Sequence, residues 1–304
     1  MRVSDSHLRA RIKDAPGAYA LLVENAKRAV VFVHGFFGSA YSTWRKFQEL
    51  VDDSPDDKSW WGESDLYFYS YASWRQIDPQ GTALRKFLSN VFDKDINACP
   101  ILYSYVDHSG FCVTTTLKFR RRYKELVLVG HSTGGLIIRS AILEEIDATK
   151  ERLKARHGSV LDDELKKLPV LKSAVRLFAP VHLGAICSGK LAVARHLPVS
   201  ERLTAVLLKS SPLFQNIQPE SKLLDRIREN TETLTTKYGW MRSLRADLLF
   251  GYDDAIVTIG KYDTDPMLTK LKDHSHTSIC KPNAKYTIPL EFVVDAERIR
   301  AKHL

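Results

Sequence analysis

The chain reads as an α/β protein whose sheet is mostly parallel and covered by helices. Three observations point there. Short runs rich in β-branched and aromatic residues recur along its 304 residues. Several of these runs are continuously apolar, as a strand is when both of its faces are covered. Stretches with apolar residues at helical spacing lie between them, and such alternation is the signature of a parallel sheet.

In chain order, strands are expected at Ala18–Glu24 (AYALLVE), Ala29–Gly35 (AVVFVHG) and Asp65–Tyr71 (DLYFYSY). The apolar spacing of TALRKFLSNVF predicts a helix over Thr82–Phe92. From Asp93 to about Thr116 the chain is mixed in character and reads as irregular. Glu125–Gly130 (ELVLVG) is the next strand, followed by a helix over Gly134–Leu153 that starts apolar and ends charged. Ala174–Pro180 (AVRLFAP) and Ala246–Tyr252 (ADLLFGY) complete the strands. Between those two, Cys187–Leu244 carries no convincing strand. Ser200 could cap SERLTAVLLK there, and Pro219 stands just before the helical spacing of Leu223, Leu224 and Ile227. Residues 187–244 are therefore expected to be a helical cap, inserted into a core made of 1–186 and 245–304.

Hydrophobic residues make up 44% of the chain, enough for one large core, and 27% charged residues argue against a chain dominated by disorder. The formal charge is +9, from 45 basic and 36 acidic residues. The basic residues are scattered. The densest runs, KFRRRYK at Lys118–Lys124 and RIRAKH at Arg298–His303, come with no RNA-binding or zinc-finger signature, so a solvated basic face and no nucleic-acid partner are expected. Cys99, Cys112, Cys187 and Cys280 form no CxxC pair, which indicates neither a zinc knuckle nor a disulfide framework. The opening residues lack an apolar signal-peptide region, and no run approaches the roughly eighteen apolar residues of a membrane span. A soluble, cytoplasmic protein is the expectation.

The chemistry concentrates at Gly130-His131-Ser132-Thr133-Gly134-Gly135, a G-x-S-x-G pattern with a strand before it and a helix after it. A serine on so sharp a turn needs small neighbours, which Gly130 and Gly134 supply. The turn lifts its Oγ above the sheet edge, beside the free N–H groups of a helix N-terminus. Earlier, VVFVHGFFGSAYSTW (Val30–Trp44) ends a buried strand in His34-Gly35. A loop there can supply one oxyanion donor and the residue after the nucleophile another, which makes Phe36 and Thr133 the candidate N–H donors. A carboxylate and then a histidine must follow in the chain. Asp253 and Asp254 stand after the last strand, with His274 and His276 some twenty residues later in KDHSHTSICKP. The register of Asp254-Ala-Ile-Val favours Asp254. Ile279 and Pro282 give His276 the firmer anchorage.

FVHGFFGSAYSTW, GHSTGGLIIR, APVHLGA, GYDDAIV and HTSICKP together resemble the lipase-like α/β-hydrolases, in the branch of the GPI inositol-deacylases and a mitochondrial serine-active-site protein. The resemblance runs from Ala29 to about Pro282. It implies an α/β-hydrolase fold with Ser132, Asp254 and His276 as catalytic triad. The branch pattern H-x-x-I-x-K-P fits His276-Thr277-Ser278-Ile279-Cys280-Lys281-Pro282. APVHLGA is similar to the branch's T-P-H-x-G-S turn, with Ala179 for threonine, Val181 inserted before His182 and Ala185 for serine. There His182 is expected to be structural.

Blander readings hold elsewhere. His131 is expected to pack. His274-Ser275-His276 with Asp263 and Asp265 lacks the partners of a metal site, so no metal is expected. GAICSGKL (Gly184–Leu191) is a near miss to a phosphate-binding loop, with Leu191 where a hydroxyl is needed. Trp44, Trp60 and Trp61 are expected in the core rather than in an acyl pocket. The expected activity is hydrolysis of a carboxylic ester or thioester, in a small molecule or a lipid, through an acyl-enzyme on Ser132 and with no cofactor. Peripheral contact with a membrane surface is compatible with such a substrate, and the oligomeric state is unreadable. The alternatives are acyl transfer, a metal- or nucleotide-dependent hydrolase, and a non-catalytic module that keeps the fold for interaction or signalling.

Overall fold

A computed structural model describes residues 8–12, 17–23, 26–36, 38–52, 60–72, 75–92, 101–106, 112–117, 123–154, 161–185, 212–252 and 254–303. Within these residues the strands are β1 (Leu8–Ile12), β2 (Tyr19–Leu22), β3 (Arg28–Val33), β4 (Ser64–Tyr69), β5 (Ile101–Val106), β6 (Cys112–Leu117), β7 (Glu125–His131), β8 (Ala174–Phe178), β9 (Ala246–Gly251) and β10 (Thr269–Leu271). The helices are α1 (Ala40–Asp52), α2 (Ile77–Phe92), α3 (Thr133–Lys154), α4 (Leu161–Lys167), α5 (Pro212–Asn216), α6 (Lys222–Lys237), α7 (Ile288–Val294) and α8 (Ala296–His303).

The ten strands form one sheet in the order β10-β9-β8-β7-β3-β4-β2-β1-β5-β6. Every pairing from β10 across to β4 is parallel, and every pairing from β4 across to β6 is antiparallel. The parallel half is what the continuous apolar runs predict. Val30–Val33 and Leu126–Val129 are buried on both faces of the sheet.

Two neighbouring residues of β8 show how the layers are divided, because adjacent side chains on a strand point to opposite faces. Phe178 packs against Trp44 and Phe47 of α1 and Phe292 of α7. Leu177 faces the start of α3, close against Gly135. Helix α2 packs on α3, joined by Arg85 to Glu145 at 3.3 Å. Trp44 is fully buried and also meets Phe32 at 5.1 Å between ring centroids, so it is core, as expected.

The stretch Asp93–Thr116 is not irregular throughout: β5 and β6 pair as an antiparallel ribbon, with Tyr103 opposite Thr115 and Tyr105 opposite Val113. Its alternating aromatic and β-branched residues carry the two-residue period of such a ribbon. The sequence patterns also leave strands β1 and β10 and helix α1 unmarked. The first two are five and three residues long. Helix α2 begins a turn earlier than its apolar spacing suggests, since Pro79 needs no intrahelical partner in the first turn.

Of the expected cap, residues 187–211, with Ser200, lie outside the described residues. The part that follows carries α5 and α6. Ser221 caps α6, its Oγ accepting from the Leu224 N–H at 3.4 Å. Helix α6 lies along α3, and it is tied to the start of α2 by Arg226 with Asp78 at 2.6 Å. Asn216 adds a second tie, accepting from the Ile77 N–H at 3.3 Å.

Candidate active site

Because β3, β4, β7, β8, β9 and β10 run parallel, the loops that follow them open at one edge of the sheet. Ser132 lies directly after β7 and Thr133 opens α3. Gly35 and Phe36 follow β3, Tyr71 follows β4, Asp254 follows β9 and His276 follows β10. Residues more than a hundred positions apart are thereby gathered in one place, as open parallel sheets gather ligand-binding loops.

Ser132 has a φ of +54°, in the left-handed region that a side chain seldom enters. Its N–H donates to Phe178 at 3.0 Å and its carbonyl accepts from Gly135 at 3.1 Å, which holds the turn closed. The pattern's need for small neighbours is met. A Cβ on Gly134 would strike the carbonyl of Val33, and one on Gly130 would stand 2.9 Å from the Gly135 nitrogen. Gly35 is as constrained: a Cβ there would lie 2.8 Å from the Ser132 Cβ, so the loop after β3 passes directly over the serine.

His276 and Asp254 meet across the mouths of β10 and β9, Nδ1 to Oδ2 at 2.9 Å, both residues buried. A carboxylate can only accept, so His276 carries a proton on Nδ1, and the neutral ring in this tautomer has its lone pair on Nε2. Burial works to raise the Asp254 pKa. The hydrogen bond and charge of His276, with the N–H groups of Ile256 and Val257, outweigh it and hold the carboxyl below its ordinary value. Those two N–H groups reach Oδ1 at 2.9 and 3.2 Å. Of the apolar residues after Asp254, Val257 is buried and Ile256 is exposed, so the carboxylate is aimed by its own turn more than by their burial. Asp253 lies outside the described residues. Among the described residues Ser132 Oγ makes no hydrogen bond to His276. Such bonds commonly tighten only when substrate is bound.

His131 does more than pack. Its Nε2 donates to the backbone carbonyl of His276 at 2.9 Å, and the two rings lie 4.9 Å apart. Burial, with the neighbouring His276, pushes its pKa down to about 3, so it stays neutral. It joins the serine's own turn to the histidine's loop. His274 is half-buried and stacks on Tyr286 at 3.8 Å, away from Asp254's partner. Ile279 is fully buried and its carbonyl accepts from the Tyr286 hydroxyl at 2.9 Å, giving the His276 loop the anchorage its sequence suggested.

His182 is buried but belongs to a different cluster. Arg139 of α3 donates from Nε to His182 Nε2 at 3.2 Å, from Nη1 to the Leu244 carbonyl at 3.0 Å, and from Nη2 to both oxygens of Asp265 at 2.7 and 2.6 Å. The Tyr262 ring stacks on His182 at 4.6 Å and lies 4.4 Å from the Arg139 guanidinium carbon. This network locks α3 to the segment that leads from Asp254 toward β10. Asp265 is thereby committed to Arg139. Of the near-miss phosphate loop, only Gly184 and Ala185 fall within the described residues.

No family model matches the chain. It is 23% identical to Protein SERAC1 of Danio rerio over 287 residues and 24% identical to Protein SERAC1 of Bos taurus over 301 residues, each match covering 89% of this chain. The chain spans 39% of the length of those relatives. Among solved structures, phospholipase PlaB from Legionella pneumophila, in its complex with thio-NAD, superimposes with a TM-score of 0.51 at 14% identity, covering 89% of this chain and 58% of that one. The fold is that of the α/β-hydrolases.

Within the α/β-hydrolase fold, the sequence patterns located Ser132, Thr133, Phe36, Asp254 and His276 at one edge. They did not identify Tyr71 or the partner of His131. Tyr71 is the last residue of the run DLYFYSY, two positions past the end of β4, so a tyrosine closing an apolar run was its only signal. Among the described residues no helix is long and apolar enough to cross a membrane.

Proposed function

We propose that this α/β-hydrolase-fold protein cleaves a carboxylic ester or thioester through an acyl-enzyme on Ser132. The observation that carries the reading is the joining of a strained Ser132, at φ +54°, to a buried Asp254–His276 pair through His131. In this reading His276 Nε2 takes the Ser132 proton as Oγ attacks the acyl carbon. Asp254 holds the ring in the required tautomer and stabilises the imidazolium that forms. The carbonyl oxygen, now negative, receives the backbone N–H groups of Phe36 and Thr133, the second aided by the unpaired first turn of α3. The intermediate collapses as His276 returns the proton to the leaving alkoxide or thiolate. Water, deprotonated by the same nitrogen, then releases the acid and frees Ser132. These steps use side chains and backbone N–H groups of this chain together with water. The lipid chemistry named for phospholipase PlaB makes lipid esters the first substrates to try beside short acyl esters.

The test is covalent. A fluorophosphonate probe should label the native protein at Ser132. Ser132→Ala should abolish labelling and lower kcat on p-nitrophenyl esters by about 10⁴ or more, with the circular dichroism spectrum retained. Persistent labelling or esterase activity in that variant overturns the assignment.

A further inference from the structure

We propose that Tyr71 is a positioning residue for the oxyanion hole, its hydroxyl clamping the loop after β3 to the first residue of α3. This rests on the reading of Ser132 as nucleophile. The two candidate donors come from separate elements: the Phe36 N–H from the loop after β3 and the Thr133 N–H from α3. Nothing covalent sets their separation, and a misplacement of about 1 Å can cost a hundredfold in rate.

Tyr71 bridges the gap. Its Oη lies 2.9 Å from the His34 carbonyl and 3.1 Å from Thr133 Oγ1. A carbonyl can only accept, so the phenol donates its single proton to His34 and accepts from the Thr133 hydroxyl. That assignment removes Tyr71 from direct contact with an oxyanion, because it has no proton left to give. Two further contacts hold His34. The rings stack at 4.2 Å and 9°. The Tyr71 N–H donates to His34 Nε2 at 3.3 Å. His34 in turn donates from Nδ1 to the Gly35 carbonyl at 2.8 Å. Phe36 is the next residue, and Gly35 is already pressed against Ser132. Burial raises the phenol's pKa, so the clamp stays protonated through neutral pH.

A tyrosine kept only for packing would need its ring and not its hydroxyl, which makes Tyr71→Phe the informative variant. On p-nitrophenyl butyrate it should lower kcat about tenfold to a hundredfold, with KM within about twofold. It should weaken a trifluoromethyl ketone, whose hemiketal oxygen occupies the same hole, by the same factor. Thr133→Val removes the other half of the bridge and should match Tyr71→Phe. The double variant should fall no further than either, since either change alone already breaks the same bridge between the loop after β3 and α3. If Tyr71→Phe does not fold, Thr133→Val and the inhibitor series carry the test alone. Unchanged kcat and inhibitor affinity in the folded variants would overturn the clamp even where the melting temperature drops. Ser132→Ala run alongside separates the two ideas. If it is inactive while Tyr71→Phe is normal, only the clamp fails. If it remains active, the nucleophile reading fails and the clamp with it.

Discussion

His274 and His276 stand two residues apart, yet only one of them meets a carboxylate. His276 gives Nδ1 to Asp254, while His274 lies against the face of Tyr286. His276→Ala should therefore lower kcat by about 10⁴, and His274→Ala should stay within severalfold of the native enzyme under the same ester assay. Collapse in His274→Ala with near-normal turnover in His276→Ala would transfer the role. Why these residues could be found in the sequence is a matter of range. Ser132 and Thr133 sit in a six-residue pattern, Asp254 is aimed by N–H groups two and three residues on, and His276 is fixed by Ile279 close by. Tyr71 meets Thr133 across 62 positions and His131 meets His276 across 145, and no local pattern encodes such a contact.

Strands β9 and β10 bring the acid and the base together, and they do so by contact at one glycine. A Cβ on Gly251, the last residue of β9, would fall on the backbone carbonyl of His274. Gly251→Ala must push the His276 loop away from the strand that leads to Asp254. The obstacle is backbone, so no side-chain rotation relieves it. The expected result is a kcat loss of at least tenfold together with a melting temperature lower by several degrees. Native kinetics in this variant would mean that the crossing is looser than this contact implies. Among the elements, those with both faces covered announced themselves, because a short uninterrupted apolar run bounded by turn residues suits a buried strand and little else. Among the strands that escaped, β10 has three residues, β1 has five, and β5 with β6 alternates in a way that a mixed stretch can hide.

At the scale of the molecule, burial of neutral histidines couples the fold to acid. Burial pushes His34 down to about 4 against the pull of its Gly35 hydrogen bond, and His131 to about 3. In the unfolded chain both titrate near 6.5. Below that pH the unfolded state binds protons that the native state refuses, so stability falls as pH drops, through about 4 for His34 and about 3 for His131. At higher pH neither contributes a slope. By pH 4 each should cost roughly 3 kcal/mol, a large part of an ordinary stability. Asp254, held below its ordinary value, adds its own loss only at lower pH. Urea melts at pH 7, 5.5 and 4.5 should show the decline, and His131→Asn should flatten it. A level profile from pH 7 to 4.5 would contradict the neutral burial of both rings. The sheet order has a consequence of another kind. Strand β1 is no edge: it pairs with β2 on one side and β5 on the other. A protease that removed it would uncover two bare rows of hydrogen-bonding groups at once and cut the β5–β6 ribbon loose. Such rows are templates for other chains, so cleavage before Tyr19 would make the molecule a seed for sticking strand to strand.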